Sequence, residues 1–286
     1  MSLDKIIIPN HKNFEELKNK IKEDGVEKLH ILSDFDRTLT YGAVNGVKTP
    51  SIISMLRDGN HLTNDYAEQA NALFEKYHPV EIDTSIPLED KKRLMQEWWH
   101  THNELLINSD LSFSDLQDIV NNGHVGFRDK VDIFLDFLYQ QSIPLIILSA
   151  SGCGDAIQLF FKKINKDYSN IHYITNQFNW DNKGQAVSSK EPIIHVMNKN
   201  EIVLEKIPEV YQIIQNKKNV ILIGDSLGDL GMIEGFNYDN LIKIGFLNLY
   251  EEDQKQYYLD NFDVILTSDG DFSFINELIK NLIDIS

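Results

Sequence analysis

The sequence predicts an α/β protein built on a parallel β-sheet with helices on both faces, into which a helical segment is inserted. Three observations predict this class. Short apolar runs of strand length recur along the chain, helix-periodic stretches lie between most of them, and the long stretch after the first run contains helical patterns without a convincing strand. Strands that alternate with helices are typical of parallel sheets. Such sheets bind ligands at the carboxyl ends of their strands.

The N-terminal part predicts one helix and then the first strand of the sheet. Apolar residues recur at helical spacing within residues 12–24, and Gly25 directly after them is a typical helix stop. The segment LHILSDFD that follows is an apolar run ending in two carboxylates. We interpret it as a buried strand whose carboxyl end carries polar groups.

Four later runs of apolar residues predict further strands. These predicted strands are Ile143–Leu148, Val220–Ile223, Leu241–Phe246 and Asp263–Thr267. Helical patterns between or after them cover residues 155–163, 201–215 and 272–283. The alternation predicts parallel strands joined by helices.

Residues 42–130 interrupt this alternation. Helical patterns occur at residues 64–77, 88–107 and 112–121. We predict a discontinuous core of residues 1–41 and 131–286, with a helical cap domain of residues 42–130 inserted after the first strand. An insertion that leaves from the ligand-binding end of a sheet is well placed to act as a lid.

Composition narrows the classes of partner. The 286-residue chain has a formal net charge of −17, which disfavours a nucleic-acid polymer as ligand. A small phosphorylated substrate would need local positive charge from a metal ion or a lysine. The single cysteine, Cys153, excludes an internal disulfide and favours a reducing, cytoplasmic location. No apolar run reaches bilayer-spanning length, so we expect no membrane partner. The oligomeric state stays open.

Polar residues follow three of the predicted strands. Asp34 and Asp36 follow the first run, Ser149 ends the second, and Asp225 and Asp229 follow the third. Because the carboxyl ends of parallel strands share one edge of a sheet, we expect these side chains to face one crevice. Lys199, which precedes the third run, is expected to reach the same place.

This set of residues predicts a magnesium-dependent phosphatase. Carboxylates as close as Asp34, Asp36 and Asp225 repel one another unless a cation lies among them, and oxygen ligands suit Mg²⁺. Asp34 is the predicted nucleophile on phosphorus, and Asp36 the predicted acid and base. Lys199 and Ser149 are expected to bind the phosphoryl oxygens.

Each motif alone has an ordinary structural interpretation. An Asp-x-Asp pair is common in loops, GDSLGDL fits a turn and a capped helix, and an isolated Ser149 or Lys199 is usually a cap or a solvated charge. Arg128 could contact the phosphate or lie at the surface, and Cys153 is expected to be a small packing residue. The order of the motifs, each behind a suitable run, favours the catalytic interpretation.

The motifs DFDRT, LSAS, NK and GDSLGD resemble, in order, the four signatures of the haloacid dehalogenase (HAD) superfamily of phosphotransferases. Over nearly the whole chain, the sequence looks like the cytosolic pyrimidine 5′-nucleotidases (5′-nucleotidase III). The resemblance implies a Rossmann-like core with a mostly helical cap. It implies Mg²⁺ held by the side chains of Asp34 and Asp225 and the backbone carbonyl of Asp36, with Asp229 supporting the metal ligands.

The resemblance also implies substrate contacts. In the core these come from Ser149, Ala150 and Lys199. In the cap, Glu81 falls where the family recognises the base, and Trp98 and Trp99 lie near its aromatic base contacts. A helical stripe that includes both tryptophans is also typical of packing.

The chain departs from the family pattern in two places. Tyr41-Gly42 replaces the usual Arg-Phe, so an aromatic contact to the base is expected to be missing. Ser149-Ala150-Ser151 replaces Ser-Ala-Gly in the phosphate loop. Both departures bear on base preference more than on the chemistry.

These observations predict hydrolysis of nucleoside 5′-monophosphates, with UMP and CMP preferred, through an aspartyl-phosphate. The alternatives are a phosphatase for another small monoester, such as phosphoserine or a sugar phosphate, and a nucleotide-binding relative without activity. Transfer of the phosphoryl group to a nucleoside instead of water is a further variant.

Overall fold

The fold is an α/β structure whose central sheet orders the candidate site. The computed structural model describes residues 5–44, 46–83, 85–123, 125–199, 207–234, 237–248 and 252–283. Within these residues, seven strands form one sheet, namely β1 (Ile6–Ile7), β2 (Leu29–Ser33), β5 (Leu145–Ser149), β6 (Ile171–Thr175), β9 (Asn219–Gly224), β10 (Asn240–Leu247) and β11 (Val264–Thr267). Their order across the sheet is β1-β11-β10-β9-β2-β5-β6. The predicted fold class is confirmed.

The sheet is parallel except at one edge. β1 pairs antiparallel with β11, whereas the other neighbouring pairs are parallel. β2 lies between β9 and β5, and Ser33 is in register with Ile223 and Ile147. The residues that follow these three strands therefore meet at one edge of the sheet. β2, β5 and β9 are buried along their whole length, as is typical of the inner strands of a parallel sheet covered on both faces.

Helices cover the sheet and build the insertion. In chain order they are α1 (His11–Asp24), α2 (Ile52–Asp58), α3 (Tyr66–Ile82), α4 (Leu88–Asn108), α5 (Phe113–Asn122), α6 (Val131–Gln140), α7 (Asp155–Lys163), α8 (Pro208–Ile214), α9 (Glu252–Asn261) and α10 (Ser273–Ile283). A short 3₁₀ segment covers Leu227–Ile233. Phe35 packs against Phe127, Phe160 and Phe161 in the largest apolar cluster. None of the described helices is long and apolar enough to cross a membrane.

The insertion is mainly helical, but the expectation that it lacks strands is wrong. Two short strands, β3 (Ala43–Val44) and β4 (Val47–Lys48), pair antiparallel before α2 begins. Two-residue strands are too short to leave a periodic pattern in the sequence. The boundaries of the cap domain, residues 42–130, stay a prediction.

Some elements were missed or lie partly outside the described residues. β7 (Phe178–Trp180) and β8 (Ala186–Ser189) form a hairpin that the apolar runs did not predict. In the predicted helix 201–215, residues 201–206 fall outside the described residues, and α8 covers part of the remainder.

Candidate active site

The carboxyl end of β2 places Asp34 at the centre of the sheet edge. The backbone N–H of Asp34 donates to the carbonyl oxygen of Ile223 at 3.0 Å, which extends the pairing of β2 with β9 by one residue. Asp34 is only 5% exposed. Thr38 donates its hydroxyl to Asp34 Oδ2 at 3.3 Å. The sheet therefore holds the predicted nucleophile with one oxygen in a hydrogen bond to its own loop.

Lys199 bridges two buried carboxylates. Its Nζ donates to Asp34 Oδ1 at 2.5 Å and to Asp229 Oδ1 at 2.8 Å. Burial lowers the pKa of Lys199, but Asp229 and Asp34 outweigh it and raise the pKa above the ordinary value of a lysine. The ammonium is therefore a permanent positive charge next to Asp34.

Asp229 supports the loop that follows β9. Its Oδ2 accepts from the backbone N–H groups of Asp225 and Ser226 at 3.0 and 2.9 Å, and from the Ser226 hydroxyl at 3.0 Å. Together with the bond from Lys199, these contacts occupy both carboxylate oxygens of Asp229. Asp229 therefore fits the supporting role expected of it better than that of a direct metal ligand.

Asp34, Asp225 and Asp229 form a carboxylate cluster that fits a hard divalent cation. One carboxylate oxygen from each lies within 4.8 Å of the other two. Burial, followed by the Asp229 and Asp34 charges, raises the pKa of Asp225 well above its ordinary value. The four carboxylate residues that line the cavity outnumber its two cations, Lys199 and Arg37. A cation with oxygen ligands such as Mg²⁺ would balance this charge. Asp36, which is predicted to bind the ion through its backbone carbonyl, is not one of the three side chains in this cluster.

Asp36 lies beside the cluster and lines the same cavity. Burial, followed by the Asp34 carboxylate, raises the pKa of Asp36 to about 7. Burial also raises the pKa of Asp34 to about 6, against the effect of Lys199. A carboxyl group with a pKa near neutrality can both donate and accept a proton at physiological pH. This property suits the acid and base role predicted for Asp36.

The loop after β5 lines the opposite side of the cavity. Ser149 is buried, and its Oγ accepts from the backbone N–H of Ser151 at 3.1 Å. Ala150 also lines the cavity. The Ser151 hydroxyl is buried and has no hydrogen-bond partner within the described residues, although the residue is part of the cavity lining. An unpartnered buried hydroxyl is costly unless a ligand satisfies it, so Ser151 is a further candidate for phosphate binding.

The cavity has a volume of about 280 Å³. It brings together most of the predicted core residues, namely Asp34, Asp36, Ser149, Ala150, Lys199, Asp225 and Asp229. Arg37, Ser51 and Ile53 also line it and were not predicted. Arg37 is the fourth residue of the motif DFDRT, but the spacing gave no indication of where its side chain points.

The cap contributes Trp99 rather than Trp98 to this cavity. Trp99 lines it directly and stacks on His102 with ring centroids 5.7 Å apart. Trp98 lies behind, stacked on Tyr77 at 5.7 Å, and lines an adjoining cavity of about 130 Å³ that also contains Trp99. Adjacent residues on a helix point in different directions, so only one of the two tryptophans faces the carboxylates.

Glu81 is not among the residues lining the catalytic cavity. It lies near the end of α3, where its carboxylate pairs with His78 Nδ1 at 3.0 Å. The structure therefore does not bring Glu81 to the carboxylate cluster, and its contact with a base stays a prediction.

Arg128 and Cys153 are both buried, and neither is among the residues that line the catalytic cavity. Arg128 is 2% exposed, which excludes the surface position considered for it. Cys153 is fully buried, and burial raises the pKa of its thiol. The expected packing role of Cys153 agrees with this environment.

Comparison with known proteins agrees with the geometry. The family model described as pyrimidine 5′-nucleotidase (UMPH-1) matches residues 37–283. The 7-methylguanosine phosphate-specific 5′-nucleotidase of Gallus gallus is 35% identical over 264 residues, covering 92% of this chain and 91% of the relative. The Homo sapiens protein of the same description is 31% identical over 270 residues, covering 94% and 89%.

Solved structures agree with the fold. The crystal structure of cytosolic 5′-nucleotidase IIIB bound to cytidine has a TM-score of 0.86 at 27% identity, covering 98% of this chain and 94% of that one. A substrate-bound phosphoserine phosphatase has a TM-score of 0.50 at 15% identity, covering 87% and 96%, and shares the fold alone.

Proposed function

This chain belongs to the pyrimidine 5′-nucleotidase (UMPH-1) family of HAD phosphatases, and we propose that it hydrolyses nucleoside 5′-monophosphates with Asp34 as nucleophile. It is a phosphoric monoester hydrolase. The observation that carries the mechanism is the position of Asp34, buried between Lys199 and the carboxylates after β9.

In the first half-reaction, a carboxylate oxygen of Asp34 attacks phosphorus and the bond from phosphorus to the 5′ oxygen breaks. Asp36, in its acid form, gives a proton to the leaving 5′ oxygen, so the nucleoside departs as a neutral alcohol. The phosphoryl group is then bonded to Asp34 as a mixed anhydride. Lys199 Nζ, 2.5 Å from Asp34 Oδ1, balances the charge on the phosphoryl oxygens.

In the second half-reaction, Asp36, now a carboxylate, takes a proton from water as the water oxygen attacks phosphorus. Phosphate leaves and Asp34 returns to its carboxylate form. Asp34, Asp225 and the backbone carbonyl of Asp36 are the proposed ligands of Mg²⁺. The bound ion would supply charge neutralisation at the phosphate.

The base preference is argued from the aromatic side chains of the cap. Trp99 lines the catalytic cavity and contacts Trp98 and His102, with ring centroids 5.9 and 5.7 Å away. A planar base can pack against an indole that lines a cavity, and a positively charged base gains further from the indole face. We therefore include 7-methylguanosine 5′-monophosphate, whose methylated base is cationic, beside the UMP and CMP that the family predicts. The names of the relatives support the first and the family description supports the others.

A substrate panel tests this proposal. Phosphate release is measured for UMP, CMP, 7-methyl-GMP, GMP, phosphoserine and a sugar phosphate, with Mg²⁺ and with a chelator. We expect one of the first three to have the highest kcat/KM and the chelator to abolish release. Preference for phosphoserine or the sugar phosphate would overturn the nucleotidase assignment.

Asp34→Asn tests the mechanism separately. Removal of the nucleophilic oxygen should abolish turnover of every substrate in the panel. Tight UMP binding without phosphate release by the unaltered chain would indicate a binding protein instead.

The cytoplasmic location is part of the same proposal and rests on the description of a related protein as cytosolic.

A further inference from the structure

Two short chain segments connect the core with the inserted helices. Residues around Thr40 leave the core, and residues around Phe127 return to it, and these two residues pair antiparallel. The backbone N–H of Arg128 donates to the carbonyl oxygen of Leu39 at 2.9 Å. The outgoing segment begins directly after Asp36. A shift of the paired segments would therefore also move Asp36, which the proposed mechanism uses.

The Arg128 guanidinium ties both segments to the core. It is buried, and its Nη2 and Nε donate to the carbonyl oxygens of Arg37 and Thr38 at 2.5 and 2.8 Å. Its Nη1 donates to Asp269 Oδ1 at 2.7 Å and to the carbonyl oxygen of Gly270 at 2.8 Å. One side chain from the returning segment thus binds the outgoing segment and the loop after β11.

Asp269 completes this arrangement from the opposite side. Its carboxylate oxygens accept from the backbone N–H groups of Gly42 and Ala43 at 2.8 and 2.9 Å. Asn248 adds a second donor to the Arg37 carbonyl, at 3.0 Å. We call Arg128, Asp269 and Asn248 the linker clamp.

The linker clamp holds a strained backbone next to Asp36. Arg37 has φ of 60°, a left-handed conformation that is unfavourable for a residue with a side chain. Its carbonyl accepts two hydrogen bonds from the clamp, which compensate that strain. Because Arg37 is bonded directly to Asp36, loss of these bonds would let the Asp36 side chain move relative to the substrate.

We infer that Arg128 and Asp269 are positioning residues for proton transfer by Asp36. This inference rests on the proposed function. Neither residue lines the catalytic cavity. Arg128 acts through the carbonyl oxygens of Arg37 and Thr38, and Asp269 acts by holding the Arg128 guanidinium. A misplacement on the order of 1 Å is enough to lower a catalytic rate by about 10²-fold.

The test uses aryl phosphates of similar size whose leaving groups differ in pKa. A good leaving group such as p-nitrophenolate needs little protonation, whereas a poor one depends on the acid. In Arg128→Lys, we expect kcat/KM to fall about 10–100-fold for poor leaving groups and less than about threefold for p-nitrophenyl phosphate. The plot of log kcat/KM against leaving-group pKa therefore becomes steeper.

Asp269→Asn provides a second variant, which keeps the side-chain shape and should steepen the same plot. Asp36→Asn removes the acid itself, so its plot gives the steepest slope that loss of acid catalysis can produce. Lys166→Met is the matched control. Lys166 lies in the loop before β6, at the opposite edge of the sheet, and its ammonium pairs with Asp136 of α6 at 2.5 Å. Lys166→Met should leave the slope unchanged even where it lowers the unfolding temperature.

The outcomes separate the two proposals. Absence of Mg²⁺-dependent release by the unaltered chain from any of these esters would defeat the proposed function itself. If the unaltered chain is active and both clamp variants lower kcat/KM equally for all leaving groups, the clamp stabilises the fold only and the inference is wrong.

Discussion

At the residue scale, charge balance around Lys199 governs the candidate site. Its ammonium contacts Asp34 and Asp229, and all three side chains are less than 10% exposed. Buried charges are tolerated only when they are paired and hydrogen-bonded. The lysine therefore stabilises the nucleophile as a carboxylate before substrate arrives.

We expect Lys199→Met to reduce both activity and stability. Loss of the positive charge beside the phosphoryl oxygens should lower kcat/KM by about 10²–10³-fold. Loss of the partner of two buried carboxylates should lower the free energy of unfolding by about 3 kcal/mol. Steady-state kinetics and chemical denaturation measure the two effects.

Lys92→Met is the control for this prediction. Lys92 pairs at the surface with Glu89 at 3.1 Å, and such exposed pairs contribute little to stability. Lys92→Met should behave as the unaltered chain in both assays. Equal losses in the two variants would contradict the role given to Lys199.

Ser151→Ala should lower activity without lowering stability. The Ser151 hydroxyl is buried without a partner among the described residues, so its removal costs no protein hydrogen bond. The unfolding temperature should stay constant or rise. If the hydroxyl binds a phosphoryl oxygen, kcat/KM should fall about three- to tenfold. Unchanged kinetics would show that Ser151 does not touch the substrate.

At the element scale, α4 gives its two adjacent tryptophans different environments. Trp98 is 8% exposed and packs in a cluster with Tyr77 and Met95. Trp99 is more exposed and lines the catalytic cavity. The helix thus contributes one tryptophan to packing and one to the site.

We expect opposite consequences from the two alanine substitutions in α4. Trp98→Ala should lower the free energy of unfolding by about 3–5 kcal/mol because it leaves a cavity. Trp99→Ala should mainly raise KM for the nucleotide and change stability little. Denaturation and steady-state kinetics on both variants check this. A larger rise in KM for Trp98→Ala than for Trp99→Ala would reverse the assignment.

The sequence predicted the site residues whose positions depend on strand order, but few of those whose positions depend on side-chain direction. Asp34, Ser149 and Asp225 could be brought together because each follows a long apolar run in a parallel sheet. Glu81 and Trp98 were placed by resemblance, and the direction in which a cap side chain points depends on tertiary packing. The contacts of Arg128 could not be predicted because its partners, Thr38 and Asp269, are distant from it in sequence.

At the scale of the whole molecule, stability and ion binding should be linked through pH. The pKa values of Asp34 and Asp36 are raised to about 6 and 7, above those of an unfolded chain. Between about pH 4 and 7 the folded protein without metal therefore holds protons that the unfolded chain has released. Its free energy of unfolding should fall as pH rises through this window.

Mg²⁺ should reverse this trend because it binds the ionised carboxylates. We expect the ion to raise the unfolding temperature more at about pH 8 than at about pH 5, as protons compete with it at the lower pH. Thermal unfolding with Mg²⁺ and with a chelator measures the difference. Asp225→Asn should remove most of it, and an equal rise at both pH values in the unaltered chain would contradict the proposed site.

The close approach of Gly42 and Asn248 restricts the evolutionary routes open to this protein. A Cβ at position 42 would lie 2.4 Å from the side chain of Asn248, which Arg37 and Arg128 hold in place. A phenylalanine at position 42, which the resemblance to the family led us to expect, would therefore clash with Asn248. Position 248 would have to become smaller first, at the expense of a hydrogen bond to Arg37. Gly42→Phe alone should therefore lower the unfolding temperature, and a smaller residue at position 248 should restore part of the loss.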